Sequence, residues 1–167
     1  MEPCTSCDGS VTVARGAYRL QGSALKNVYL AGIEIAKCES CGAEEPIIPN
    51  VNGLMECLAQ AVILRQGRLQ PDEIRFLRKF LGMSGETFAR WIGADKHQVS
   101  KYESGAERPG RARDRLIRLA ALTLADWKHE KTAKEVQESI KAGGFSDGPP
   151  RGDTYRYDEQ AQKAFCE

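Results

Sequence analysis

Four cysteines carry the most specific chemistry in this chain. Cys4-Thr5-Ser6-Cys7 and Cys38-Glu39-Ser40-Cys41 are two C-x-x-C pairs with 30 residues between them. Each pair fits a tight turn that aims two thiolates at one point, and two such turns brought together close a tetrahedral site. Cys4, Cys7, Cys38 and Cys41 are therefore read as the ligands of one structural Zn2+, with no coordination position left open for catalysis. The alternatives are two disulfides, an iron–sulfur centre or a redox dithiol. A thioredoxin-like dithiol needs one pair in a βαβ setting, whereas this sequence has two pairs and no such setting. Cys57 reads as a buried thiol on the apolar face of a helix, and Cys166, near the end, as an incidental one.

The elements that must position these cysteines are β-type. Val11-Thr12-Val13 and Val28–Ile35 are rich in branched and aromatic residues, with Gly9, Gly16, Gly22, Gly32 and Gly42 at turns or bends. They predict a small antiparallel sheet with a poor core, stapled by the metal. Residues 1–48 form this zinc-binding domain in the expected organisation. Residues 49–70 are a helical linker, carrying Val51, Leu54, Leu58, Ala61, Val62 and Leu64, with Gly67 ending the helix.

Charge then changes along the chain. Residues 1–64 carry four Lys/Arg against seven Asp/Glu, residues 65–120 thirteen against seven, and residues 121–167 seven against nine, in a chain of net charge +1. A basic block between two acidic ones points to a local polyanion-binding surface. The same block is helical in pattern. Pro71, Ser84 and Asp95 suit helix starts; Gly82, Gly93 and Gly105 suit helix ends; Pro109 precedes a further helix reaching towards Trp127. With Val99 and Tyr102 facing inward, the opposite face presents Lys96, His97, Gln98 and Lys101, which can donate to base edges in a major groove. Ser84 and Gly85 begin a helix whose N–H groups can hold a phosphate, and Arg108, Arg111 and Arg113 are further phosphate contacts. Arg78 and Glu103 are expected to pair in the interior, and Trp91 to serve core or domain packing.

The segment Ile74–Gly105, ending Tyr102-Glu103-Ser104-Gly105 and soon followed by Pro109, resembles the phage-repressor-like (Xre) helix-turn-helix. In that resemblance Ala89 lies where the second helix must be thin, Gly93 at the turn, and Val99 and Tyr102 at core positions of the recognition helix. The fold class expected is thus α+β, a β-rich zinc ribbon-like domain followed by an all-α helix-turn-helix domain at 71–127. Residues 128–167 are a C-terminal extension, helical at first, flexible over Gly143–Asp153, with Tyr155, Tyr157 and Phe165 suggesting a docking segment.

A two-pair cysteine domain followed by such a motif is similar to the MqsA (YgiT-type zinc finger) antitoxins over about residues 1–125. The resemblance implies a non-enzymatic, homodimeric repressor that dimerises through its C-terminal half and binds a palindromic operator in double-stranded DNA. It also implies that the zinc domain neutralises a toxin protein that cleaves messenger RNA. The family's Asn and Arg base readers fall at His97 and Lys101. The alternative is a stand-alone zinc-containing regulator with no toxin partner. RNA binding by the cysteine domain is disfavoured by its negative charge. No segment is apolar enough to span a membrane, and Met1-Glu2-Pro3-Cys4 has no secretory pattern, so a cytoplasmic protein is expected.

Overall fold

A computed structural model describes residues 3–128, 130–143, 154–158 and 163–166 and shows a mixed α and β architecture. Strand β1 (Val11–Arg19) pairs antiparallel with β2 (Val28–Cys38), and β3 (Glu44–Ile47) folds back on the far end of β2. The register passes from Gly16 opposite Ile33 to Ala17 opposite Ala31, so Gly32 has no partner across the pair. Gly32 has a φ of 72°, a backbone state that a Cβ resists. The bulge shifts the alternation by one residue. Val28, Leu30 and Ile33 are consequently all buried, although a plain period of two would put Leu30 and Ile33 on opposite faces.

Helix α1 (Val51–Leu64) starts where the Asn50 side chain accepts the Gly53 N–H at 2.8 Å. α2 (Pro71–Phe80) has proline in its first turn, and the Glu73 carboxylate accepts the Gln70 N–H at 2.7 Å. α3 (Gly85–Trp91) is capped by Ser84, and α4 (Lys96–Ser104) by Asp95. Gly82, Gly93 and Gly105 take φ values of 66°, 62° and 82° where these helices stop. α5 (Arg111–Leu124) ends short of Trp127. Trp127 instead turns back, its indole N–H donating to the Leu122 carbonyl at 2.9 Å and its ring meeting Phe80 edge-on at 5.3 Å. α6 (Glu130–Gly143) follows. No helix among the described residues is long and apolar enough to cross a membrane.

The described strands of the extension join the sheet. β4 (Tyr155–Asp158) lies parallel to β2 along Val28–Ala31, and β5 (Lys163–Cys166) pairs antiparallel with β4. The sheet order is β1-β2-β4-β5, with β3 also on β2. Tyr155 and Tyr157 are buried. The stretch expected to be flexible falls, from residue 144 to 153, outside the described residues.

α1 packs against β4, β5, α2, α5 and α6. Its buried residues, among them Leu54, Cys57, Leu58, Val62 and Ile63, therefore occupy more than one face. One apolar cluster runs from Leu25, Val28 and Leu30 through Leu54 and Leu58 to Leu77, Phe88, Val99, Tyr102 and Ile117. It crosses residues 48, 70 and 127 without a break. The expected packing role of Trp91 is corrected: it is 53% exposed. Phe88, Ala89 and Ile92 define the inner face of this one short helix, and Trp91 lies across the helix from Ala89.

A buried polar network fixes residues 65–70, between α1 and α2. Arg118, 1% exposed, donates to the carbonyls of Ile63, Arg65 and Gly67 at 2.7, 2.8 and 2.6 Å. It thereby satisfies carbonyls that the end of α1 leaves open. Asp114 pairs with Arg118 at 2.9 Å and accepts the Leu69 N–H at 2.7 Å. Arg65 pairs with Glu73 at 3.0 Å, and the Tyr155 hydroxyl donates to Glu73 at 2.5 Å.

Candidate functional site

The two cysteine turns are built alike. In the first, the Asp8 N–H donates to the Cys4 carbonyl at 2.9 Å and the Cys4 N–H to the Gly9 carbonyl at 3.1 Å. In the second, the Gly42 N–H donates to the Cys38 carbonyl at 3.0 Å and the Cys38 N–H to the Ala43 carbonyl at 2.9 Å. The residue after each second cysteine is left-handed, Asp8 with φ 55° and Gly42 with φ 72°. Pairing of Val11 with Cys38, and the Glu39 N–H donating to the Ser10 carbonyl at 3.0 Å, bring the turns together.

All four sulfurs lie within 4.8 Å of one another, with Cys4–Cys41 at 3.7 Å and Cys7–Cys38 at 3.5 Å. Metal–sulfur bonds of about 2.3 Å in a tetrahedron require sulfurs about 3.8 Å apart, whereas a disulfide requires about 2.05 Å. The spacing is that of ligands around one metal ion, and the residues fit such an ion. Cys4 and Cys38 are buried, and Cys7 and Cys41 face solvent. The thiols do not titrate alike. Backbone N–H groups, first that of Cys41 and then that of Ser40, pull Cys38 down to about 6 against its burial. At Cys7 the Gly9 N–H pulls down, but the surrounding thiols and burial outweigh it and raise the group to about 12. A bound cation would supply the charge that deprotonates the reluctant thiols. Cys57 stands apart on α1, its thiol pushed up by burial.

The basic residues gather around α4. Val99 and Tyr102 are buried, while Lys96, His97 and Lys101 are exposed. Gln98 is half-buried: its N–H donates to Asp95 Oδ1 at 2.8 Å and its own Oε1 accepts the Asp95 N–H at 3.3 Å. Lys101 lies 3.8 Å from Glu107. Ser84 is exposed, its hydroxyl accepting the Thr87 N–H at 3.1 Å, and Gly85 follows it half-buried. Arg108 and Arg111 are exposed just before and at the start of α5. Arg113 turns inward instead, donating to the Tyr102 hydroxyl at 2.5 Å and to the Gly93 carbonyl at 3.0 Å. It therefore holds the α3–α4 turn and α4 to α5. Arg78 pairs with Glu103 through two contacts, of 2.5 and 3.0 Å, and Arg75 adds a third at 3.4 Å.

Sequence reasoning missed the left-handed Asp8, because aspartate adopts that conformation less often than glycine and so marks it more weakly. It also missed Gly9 as a packing residue: a Cβ there would lie 2.5 Å from Ser40 Oγ and 3.1 Å from Cys38 Sγ. Comparison with known proteins finds no family model that matches the chain and no curated protein similar to it.

Proposed function

We propose that the chain is a sequence-specific DNA-binding repressor, with α3 and α4 acting as a phage-repressor-like helix-turn-helix and the cysteine cluster as a structural zinc ribbon. The outward projection of Lys96, His97 and Lys101 from a helix whose other face is locked by Val99 and Tyr102 carries this reading. Such a helix enters a major groove with its first turn foremost, so Lys96 and His97 meet base edges there and Lys101 follows one turn later. Arg108 and Arg111 supply phosphate contacts, which set register and salt dependence. Gln98 reaches DNA only through its amide N–H2, since its oxygen closes the Asp95 cap. Arg113 serves the corner itself.

In this reading Zn2+ is held by Cys4, Cys7, Cys38 and Cys41 and supplies a cross-link in a region with few buried side chains. The finer assignment is the antitoxin of a toxin–antitoxin pair, resembling the MqsA antitoxins, in which the zinc half holds a toxin that cleaves messenger RNA. The order of parts, paired C-x-x-C turns ahead of a helix-turn-helix, supports it. A stand-alone regulator is the alternative, and copurification from the native host separates the two: a small basic ribonuclease-like partner encoded alongside favours the antitoxin.

The DNA-binding reading is tested by anisotropy titration of a labelled duplex from the gene's own upstream region, at fixed salt, against a scrambled duplex. His97→Ala and Lys101→Ala are each expected to weaken binding by about 1–3 kcal/mol while leaving circular dichroism unchanged. Unaltered affinity in both variants, or equal binding of the scrambled duplex, refutes it.

A further inference from the structure

We propose that the cavity between the β1–β2 loop, α1, α2 and the segment after α5 binds a small organic monocarboxylate with an apolar body. The cavity measures about 570 Å³, within the range of about 300–1,000 Å³ for small-ligand sites. It opens at the end of the β1–β2 hairpin opposite the cysteines, so it is separate from the metal centre, and α4 contributes nothing to its lining. Leu20, Met55, Phe76 and Phe80 give it an apolar wall. That wall is held in shape: Phe76 and Phe80 stack with ring centres 6.2 Å apart, and Trp127 braces Phe80 edge-on at 5.3 Å.

The charges around the cavity select the sign of the ligand. Glu56 is buried and its Oε1 accepts the Lys128 N–H at 2.6 Å. Asp126 is ion-paired with the Lys128 ammonium. The ammonium of Lys79, exposed on α2 beside Phe80, makes no hydrogen bond or ion pair with the described residues. A cationic guest would find both carboxylates engaged and an unmatched ammonium facing it. A carboxylate finds a partner in Lys79, while its apolar body covers the aromatic wall.

Decanoate is the probe, titrated calorimetrically into the metal-loaded full chain below its micelle concentration, with displacement of 8-anilinonaphthalene-1-sulfonate followed by fluorescence. One decanoate is expected per chain, displacing the dye. Lys79→Gln is expected to weaken binding about tenfold, and Met55→Trp, which fills the cavity, to abolish it. Decyltrimethylammonium is expected to bind more weakly than decanoate. Should Met55→Trp fail to fold, the Met55 methyl signal of the unsubstituted protein replaces it and is expected to shift on adding decanoate. Absence of saturable binding, indifference to Lys79→Gln, a static Met55 signal or a preference for the cationic amphiphile overturns the assignment.

Discussion

Gly9 sits where the two cysteine turns meet, and the room it leaves is what lets Ser40 and Cys38 approach. Gly9→Val would push against the fixed Cβ of Ser40, 2.8 Å from the new carbon, and against a metal ligand. It is expected to lower metal affinity at least about tenfold, the scale of loss when groups supporting ligands are disturbed, in competition with a chromophoric chelator. Affinity equal to that of the unsubstituted chain would mean that the turns have slack. Tyr155 plays a comparable part far from the metal. Burial pushes the Glu73 carboxyl above its usual 4.5, opposed by the hydrogen bonds from Tyr155 and the Gln70 N–H and by Arg65. A folded value above the unfolded one means that this contribution to stability is present below 4.5 and is lost as pH rises through the folded value. Tyr155→Phe removes a donor that favours the charged form, so its deficit grows in that direction. At neutral pH it is expected to cost about 1.5–3 kcal/mol in urea unfolding, and less in acid. A deficit independent of pH would show that the hydroxyl does not act through Glu73.

At the scale of elements, what could be read in advance was local. Ser84, Asp95, Gly93 and Gly105 act within one turn of themselves, so their residue types announce helix ends. With Val99 and Tyr102 placed inward, the exposure of His97 and Lys101 follows from helical period alone, while Lys96, three residues before Val99, is exposed as the first residue of the helix. The clustering of Cys4, Cys7, Cys38 and Cys41 was legible for a similar reason, since C-x-x-C spacing is set by a single turn. Long-range partners left no such mark. Tyr155 meets Glu73 across 82 positions of sequence and Arg118 meets the Ile63 carbonyl across 55. Trp91 misled because apolar size suggests burial, whereas a seven-residue helix has only one inner face to fill. α5 keeps an unused face: Leu116 and Leu119, three residues apart and each 40% exposed, point away from the core that Ile117 and Ala121 join. In the homodimer that the resemblance to the MqsA antitoxins implies, we propose that this stripe meets its copy. Leu116→Lys with Leu119→Lys is expected to weaken self-association about tenfold or more, by sedimentation equilibrium, with helix content kept. Unchanged association would place the interface elsewhere.

The molecule as a whole is fastened by two different means at the two ends of β2. At one end Val28 and Leu30 lie between β1 and β4 and belong to the same apolar cluster as α1 and α2. At the other, Thr5, Ser6, Cys7, Asp8, Ser10, Glu39, Ser40 and Cys41 are all exposed. With so little apolar area removed from water, the cysteine turns would depend for their order on the ion proposed for them. Two separate units would imply that chelation unfolds the first and spares the second; the shared apolar cluster narrows that outcome. A strong chelator is expected to release amide protection at residues 4–13 and 36–47, followed by hydrogen exchange and mass spectrometry. Protection at Val28–Leu30, in α1 and through α5 should persist, because Leu54, Leu58 and Leu77 keep their neighbours. Simultaneous loss at Leu54, Leu77 and Val99 would show that the metal holds the shared core as well, and that no boundary of stability runs along β2. Retained protection at both cysteine turns would show that their backbone hydrogen bonds hold without a metal. The confined outcome would make the metal end a region that can loosen or reshape on a partner while the basic face of α4 stays in position.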